Sequence, residues 1–187
     1  MWRKFCKFLL KSLGWKVSHD TPVPEDKCII LGVPHTSIWD FAISYLYYQS
    51  IGGDAKCMIK KEMFVWPLGW LLKKLGSVPI DRKSGAAVTK QMIGIFNSSE
   101  KFHLALAPEG TREPVKRWKL GFHTIAKATG VPVYLGYFDW GRKIIGRGER
   151  FELTEDAMAD LREIQKIYKA MNLKGLHDGC FDFMEGV

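Results

Sequence analysis

The chain alternates short apolar runs with longer amphipathic segments, and this alternation restricts the possible fold more than any other feature. The runs that suit buried strands are CIILGVP, AKCMIK, SVPIDR, FHLALAP and VPVYLGYFD, with KIIGRGERFEL as a further candidate. Helical patterns cover 37–50, 85–96, 119–129 and 154–171, the last with Thr154 as its cap. Strands that alternate with helices favour a largely parallel sheet. We therefore predict a single α/β domain, a mostly parallel β-sheet flanked by helices, over residues 19–187.

Residues 1–18 form a distinct basic segment ahead of this domain. The net charge of the chain is +8, and five basic residues precede the first acid, Asp20. On a helix, Trp2, Phe5, Cys6, Leu9 and Leu13 share one face, and Arg3, Lys4, Lys7 and Lys11 share the other. This pattern predicts an amphipathic helix. It suits a helix lying on an anionic membrane and equally a surface helix packed on the core, and the aromatic content favours the membrane.

Cysteine usage and hydropathy restrict the compartment. The four cysteines are scattered without a C-x-x-C pair, which argues against a zinc site or a disulfide framework. Reduced thiols suit the cytoplasm. No run reaches the roughly 18 apolar residues of a membrane span, and the N-terminus lacks the pattern of a secretory signal. We therefore expect a cytoplasmic protein.

Charged motifs follow three of the predicted strands. His35 follows CIILGVP, Asp81 and Arg82 follow SVPI, and the sequence Glu109-Gly110-Thr111-Arg112 follows FHLALAP. Loops at the carboxyl ends of parallel strands tend to hold ligands. If the loops are adjacent, they form a pocket that holds a base, an acid and two guanidinium groups.

Each motif also has an ordinary structural interpretation. Ser37 and Asp40 fit a helix capping box, which would make His35 only the last loop residue. Arg82 suits a surface charge, Gly110 suits a turn, and Lys119 suits a solvated helix start. The spacing of His35 and Asp40 also recurs at His177 and Asp182, where we interpret it as chance. We expect His123 to occupy a packed helix position.

The order of the motifs resembles that of the 1-acylglycerol-3-phosphate acyltransferases and related glycerolipid acyltransferases. HTSIWD, GSVPIDR, PEGTR and VPVYLGY match the four blocks of that family between about Ile29 and Asp139. One departure is Leu135-Gly136, where the family often has a second proline. The amino-acid sequences of the blocks are similar to those of a short bacterial subgroup that lacks the long hydrophobic anchors of larger members.

The resemblance implies a catalytic pair, His35 and Asp40, with His35 as general base. It implies a substrate-binding group that consists of Arg82, Glu109, Gly110, Thr111, Arg112 and Lys119. The two arginines would bind an acceptor phosphate, and Glu109 would orient an arginine or bind a glycerol hydroxyl. The implied donor is acyl-CoA or an acyl carrier protein, and the implied acceptor is a lyso-lipid such as 1-acylglycerol-3-phosphate. Because a thioester is already activated, we expect no metal and no cofactor.

The implied partner is the membrane surface, on the inner face of the cell membrane. We expect no nucleic acid, because no nucleic-acid-binding motif is present. Three alternatives stay open: a non-phosphate lyso-aminolipid acceptor, a lipid hydrolase that uses His35 to activate water, and a basic binding module. The apolar stretch MFVWPLGWLL suits an acyl tunnel or a lipid contact, but the sequence favours a buried core segment.

Overall fold

The computed structural model describes residues 1–81, 84–115 and 117–177. Within those ranges the α-helices are α1 (Trp2–Ser12), α2 (Trp39–Ile51), α3 (Leu68–Lys74), α4 (Gly85–Ser98), α5 (Gly121–Thr129) and α6 (Ala157–Met171). The strands are β1 (Lys16–Val17), β2 (Lys27–Leu31), β3 (Ala55–Lys60), β4 (Ser77–Ile80), β5 (Phe102–Leu106), β6 (Val133–Tyr134), β7 (Tyr137–Asp139), β8 (Ile144–Gly146) and β9 (Arg150–Phe151).

The main sheet has six strands in the order β4-β3-β5-β2-β6-β9. Every neighbouring pair is parallel except β6 and β9. β2 lies inside the sheet and pairs with β5 from Lys27 opposite Phe102 to Leu31 opposite Leu106. A parallel sheet must be covered on both faces, which explains why β2 is a nearly continuous apolar run. The predicted α/β domain with a mostly parallel sheet is confirmed.

Successive residues of β2 point into two separate cores. Ile29 and Leu31 belong to a cluster that contains buried side chains of α4, α5 and α6. Cys28 and Ile30 belong to a second cluster, which contains buried side chains of α1 and α2. Because strand side chains alternate between faces, this division places helices on both sides of the sheet.

The predicted strand VPVYLGYFD is in fact two strands in two sheets, so that expectation is wrong. β6 belongs to the main sheet, whereas β7 joins β8 and β1 in a second, three-stranded sheet. The chain changes sheets at Leu135-Gly136, where a Cβ on Gly136 would lie 2.5 Å from the carbonyl oxygen of Leu31. Only glycine permits this close approach of two backbones. The segment KIIGRGERFEL is likewise divided, into β8 and β9.

The N-terminal helix is shorter than predicted and is partly in the core. α1 ends at Ser12, and Lys16–Val17 already form β1. Cys6 and Leu10 are fully buried, and the Arg3 side chain donates a hydrogen bond to the Ser50 carbonyl at the end of α2, at 3.0 Å. Of the five apolar residues predicted to share one face, only Cys6 is buried. α1 is therefore a packed helix that also leaves apolar side chains exposed.

Two further local expectations are corrected. Asp156, not Thr154, caps α6, because its carboxylate accepts the backbone N–H groups of Met158 and Ala159. The stretch after β3 is not mainly core, since the side chains of Met63, Val65, Trp66, Leu68, Trp70 and Leu71 are exposed. None of the helices in the described ranges has the length and apolarity that a membrane crossing requires.

Candidate active site

The loops that carry the predicted motifs open at one edge of the main sheet. β2, β3, β4 and β5 are mutually parallel neighbours, so their carboxyl ends face the same way. His35 follows β2, and Glu109 follows the adjacent β5. Asp81 follows β4, and its carboxylate accepts from the Lys61 ammonium at 2.5 Å. Arg82, predicted to bind substrate, lies outside the described residues.

His35 and Asp40 are in direct contact. The distance between His35 Nδ1 and Asp40 Oδ2 is 3.0 Å. A carboxylate only accepts, so Nδ1 carries the proton and Nε2 is the nitrogen with a free lone pair. The His35 side chain is 29% exposed, whereas that of Asp40 is 2% exposed. Nε2 makes no hydrogen bond to any residue that the structure describes. The pair thus presents an oriented base at the edge of the sheet.

The Asp40 carboxylate is held by four donors. Besides His35, Oδ2 accepts the backbone N–H groups of Thr36 and Ser37, both at 2.8 Å. Oδ1 accepts the indole N–H of Trp140, also at 2.8 Å. These bonds compensate the cost of burying a charge, and the position in the first turn of α2 favours an anion.

The capping interpretation of this loop and the catalytic one are both compatible with the geometry. The Ser37 hydroxyl accepts the backbone N–H of Trp39 at 3.2 Å, and Asp40 in turn accepts the N–H of Ser37. This reciprocal exchange resembles a capping box. Asp40 therefore orders the start of α2 and orients the imidazole of His35 with one carboxylate.

Trp140 was not predicted from the sequence. It lies in the turn between β7 and β8, 100 residues after Asp40, and no local pattern links the two. Its ring packs edge-on against Trp15 with the centroids 5.0 Å apart. Its backbone N–H donates to the Lys174 carbonyl at 2.8 Å. The segment after α6 also contacts the histidine loop directly, because Leu176 N–H donates to the Thr36 hydroxyl at 2.9 Å.

Glu109, in the loop that follows the neighbouring strand β5, binds the His35 backbone. Its Oε1 accepts the backbone N–H of His35 at 3.0 Å, and Glu109 is 5% exposed. Its Oε2 is buried without a hydrogen-bond partner among the described residues. Burial raises the pKa of Glu109 to about 7, against the hydrogen bonds from its own N–H and that of His35. Sequence reasoning identified Glu109 but not its contact with the histidine loop.

The remaining predicted residues lie beside Glu109. Gly110 has a φ of 68°, and a Cβ there would lie 2.6 Å from Lys119 Nζ. The Lys119 side chain therefore lies across this turn. Arg112 is exposed, and the Thr111 hydroxyl accepts the backbone N–H of Glu113 at 3.3 Å. Glu109, which contacts the histidine loop, is thus followed along the chain by a backbone turn, a hydroxyl and two cations.

Other reactive side chains lie elsewhere. His123 is buried and contacts Asp160, as expected for a packed helix position. The described residues end at residue 177, so the His177–Asp182 pair falls partly outside them. Burial raises the pKa of the Cys28 and Cys57 thiols. A raised thiol pKa disfavours the nucleophilic thiolate.

Comparison with known proteins identifies the family. The family model described as Acyltransferase matches residues 14–135, which is more than half of the chain. This chain belongs to the acyltransferase family. The enzyme also resembles a solved structure, the 1-acyl-sn-glycerophosphate (LPA) acyltransferase PlsC from Thermotoga maritima, with a TM-score of 0.57 and 17% identity over 92% of this chain and 79% of that one. At this identity the likeness concerns the fold. The comparison with curated proteins finds no match.

The family match covers the predicted site residues but not the whole site. His35, Asp40 and the loop from Glu109 to Lys119 fall within residues 14–135. Trp140 and the segment that contacts Thr36 come after the matched region. This acyltransferase therefore completes the surroundings of Asp40 with residues that the family match does not include.

Proposed function

We propose that the enzyme transfers a fatty acyl group from an acyl thioester to the hydroxyl of a lyso-glycerophospholipid such as 1-acylglycerol-3-phosphate. The acyl donor is acyl-CoA or an acyl carrier protein. The observation that carries the proposal is the His35–Asp40 pair, with its Nε2 unbonded at a sheet edge that also bears Arg112 and Lys119. A base beside cations suits a hydroxyl acceptor that carries an anionic group.

The pair supports a general-base reaction without a protein nucleophile. Nε2 of His35 removes the proton of the acceptor hydroxyl as its oxygen attacks the thioester carbonyl carbon. The tetrahedral intermediate collapses with loss of the thiolate, which takes the proton from the imidazolium. Asp40 stabilises the imidazolium and keeps the proton on Nδ1 in the resting state. The products are an ester and a free thiol, so no further reactant is needed.

The cations supply acceptor recognition in this proposal. The guanidinium of Arg112 matches the oxygens of a phosphate in a way that an ammonium does not. Lys119 adds a second positive charge beside Gly110, and Arg82 follows β4 in the sequence. The net charge of +8 also suits coenzyme A or an acidic carrier protein as donor. We place the enzyme peripherally on the inner face of the cell membrane, where a lyso-lipid acceptor resides.

An activity screen tests the proposal directly. The full chain and a His35→Ala variant are incubated with paired acyl donors and lyso-lipid acceptors, and the products are identified by mass spectrometry. We expect a diacyl product from an anionic lyso-glycerophospholipid with the full chain only. Free fatty acid released without an acceptor would identify a hydrolase instead. Transfer confined to a lyso-aminolipid without phosphate would overturn the proposed acceptor.

A further inference from the structure

The connection between β3 and β4 carries an exposed apolar surface, here called the α3 patch. It consists of the side chains of Met63, Val65, Trp66, Leu68, Trp70 and Leu71. Trp66 is 88% exposed, Trp70 63% and Val65 61%. Single exposed apolar residues are ordinary, but a contiguous group usually marks an interaction site.

Local packing fixes the outward direction of the patch. Gly69 and Leu72 are the buried residues of α3. A Cβ on Gly69 would lie 2.4 Å from the backbone of Phe64, so the helix folds back tightly on the preceding loop. With this stripe directed inward, Leu68, Trp70 and Leu71 of α3 point to solvent. Their exposure is a property of the packed helix.

The α3 patch begins at the edge of the sheet that holds His35. It follows the carboxyl end of β3, which is parallel to β5, and β5 is parallel to β2. Ile38 and Trp39, directly after the histidine loop, are 65% and 61% exposed. Exposed apolar side chains from two connections therefore border the catalytic edge.

Basic residues flank the patch on both sides. Lys60 and Lys61 precede it and Lys73 and Lys74 follow it, and Glu62 is the single acid in this stretch. Lys74 Nζ lies 5.0 Å from the centroid of the Trp70 ring. Tryptophan favours the headgroup layer of a bilayer, and lysines near an anionic surface are attracted to it. The patch thus combines the two features that an anionic bilayer recognises.

We propose that the α3 patch inserts into the headgroup layer of an anionic phospholipid bilayer and holds the His35 edge against the membrane. The proposal deepens the proposed function, because a lyso-lipid acceptor would reach His35 from that bilayer. It also assigns membrane docking to a surface other than α1, the segment whose aromatic content favoured the membrane in the sequence.

α1 is the less suitable docking surface. Cys6 and Leu10 of α1 are buried in the core, and the Arg3 side chain donates a hydrogen bond to the Ser50 carbonyl. Ser50 lies ten residues beyond Asp40 on α2, which corresponds to roughly 15 Å of helix rise. The first turn of α1 therefore lies far from the catalytic edge, whereas the α3 patch starts there.

Vesicle binding of variants distinguishes the two surfaces. The Trp66→Glu/Trp70→Glu double variant is compared with Phe8→Glu on α1, where Phe8 is 64% exposed, and with Met158→Glu on α6. Binding is measured by cosedimentation with vesicles of phosphatidylglycerol and phosphatidylcholine. We expect the double variant to bind at least about tenfold more weakly than the full chain. The two control variants should bind like the full chain. Thermal unfolding checks that all variants are folded.

Charge is tested separately. Lys73→Glu/Lys74→Glu should weaken binding to anionic vesicles more than binding to pure phosphatidylcholine, with a difference that shrinks as salt rises.

The proposal is overturned if the full chain does not bind vesicles or if the double tryptophan variant binds normally. It is also overturned if Phe8→Glu alone abolishes binding. A lipid-free dimer that the double variant converts to monomers, with vesicle binding unchanged, would make the patch a self-association surface.

Activity separates this proposal from the proposed function. With a dispersed short-chain lyso-lipid, the double tryptophan variant should retain the activity of the full chain. With the acceptor in vesicles, it should lose most of that activity. If the full chain acylates neither acceptor, the proposed function fails, while vesicle binding still decides the role of the α3 patch.

Discussion

Two histidine–aspartate contacts of nearly equal length lie among the described residues. His35 and Asp40 are 3.0 Å apart, and His123 and Asp160 are 3.1 Å apart. Both aspartates are at most 3% exposed, but the His35 side chain is 29% exposed and that of His123 only 8%. Distance and burial of the acid are therefore the same at both places, and access to the histidine is what differs.

The His123–Asp160 contact connects two helices of the fold, α5 and α6. Its Nε2 lies near Asp160 Oδ2 and also 3.2 Å from the Thr154 carbonyl, and both of these are acceptors. Asp160 additionally accepts the backbone N–H and the hydroxyl of Thr154, both at 2.8 Å. The contact ties α5 to the start of α6. A histidine–aspartate pair supports catalysis only where a substrate can reach the imidazole, and the His35 side chain is the more exposed of the two.

The largest expected effect separates the two histidines by activity. His35→Ala should lower acyl transfer by roughly 10²–10⁴-fold, because it removes the general base, with little change in unfolding. His123→Ala should lower the unfolding temperature and leave the activity per folded molecule unchanged. Initial rates and thermal melts of both variants measure this. Near-full activity of folded His35→Ala would remove the basis for the comparison.

Variants of the two aspartates, Asp40 and Asp160, test the same difference between a site of activity and a contact that stabilises the fold. Asp40→Asn should lower kcat by about 10²-fold or more, because the amide no longer stabilises the imidazolium. Asp160→Ala should instead cost about 1–3 kcal/mol of unfolding free energy, because it removes the acceptor of two Thr154 donors and one of the two acceptors near His123 Nε2. Denaturant titration and steady-state kinetics distinguish the two results. Equal losses of kcat in both folded variants would contradict the division of roles.

Arg112 lies three residues after Glu109, which contacts the His35 backbone, and the third test removes this cation. Arg112→Ala should raise KM for an anionic acceptor by the equivalent of about 1.5–3 kcal/mol, with a smaller effect on kcat at saturation. Arg112→Lys should rescue KM only partly, because an ammonium cannot make the bidentate contact. Acceptor saturation curves measure both. Unchanged curves in the alanine variant would exclude Arg112 from acceptor binding.

Trp140 supports Asp40 at Oδ1, where the Asp160 pair instead has the Thr154 hydroxyl. Trp140→Phe removes the indole N–H and keeps a ring against Trp15. We expect kcat to fall about tenfold, the value of one hydrogen bond to a charged group, with KM unchanged. The proton NMR signal of His35 Nδ1–H should also shift, which a purely structural role would not cause. Trp15→Phe is the matched control and should leave that signal in place.

The last test concerns the pH dependence of stability. The pKa of Glu109 is about 7 in the folded protein, against 4.5 as its ordinary value. The folded state therefore keeps this proton to higher pH than the unfolded chain, and stability falls as pH rises from about 4.5 to 7, by at most about 3 kcal/mol. Glu109→Gln should flatten this part of the profile in urea titrations. An unchanged slope would show that Glu109 titrates normally.

Local sequence patterns predicted much of the scaffold because each pattern needs only neighbouring residues. β2 to β5 appear as short apolar runs, and α2 and α5 end where glycine adopts the left-handed conformation at Gly52 and Gly130. The motif order also brought His35 and Glu109 to one sheet edge, since parallel strands align their carboxyl ends. Such features follow from backbone periodicity and turn chemistry.

The sequence by itself determined the α/β scaffold, the acyltransferase family and the close spacing of His35 and Asp40. Only the tertiary structure decided that Trp140 completes the bonding of Asp40, that Glu109 holds the His35 backbone, and that the α3 patch faces solvent. These contacts join segments up to 100 residues apart, or depend on which stripe of a short helix is buried. Periodicity cannot specify them, because they arise from packing between elements rather than from the conformation within one.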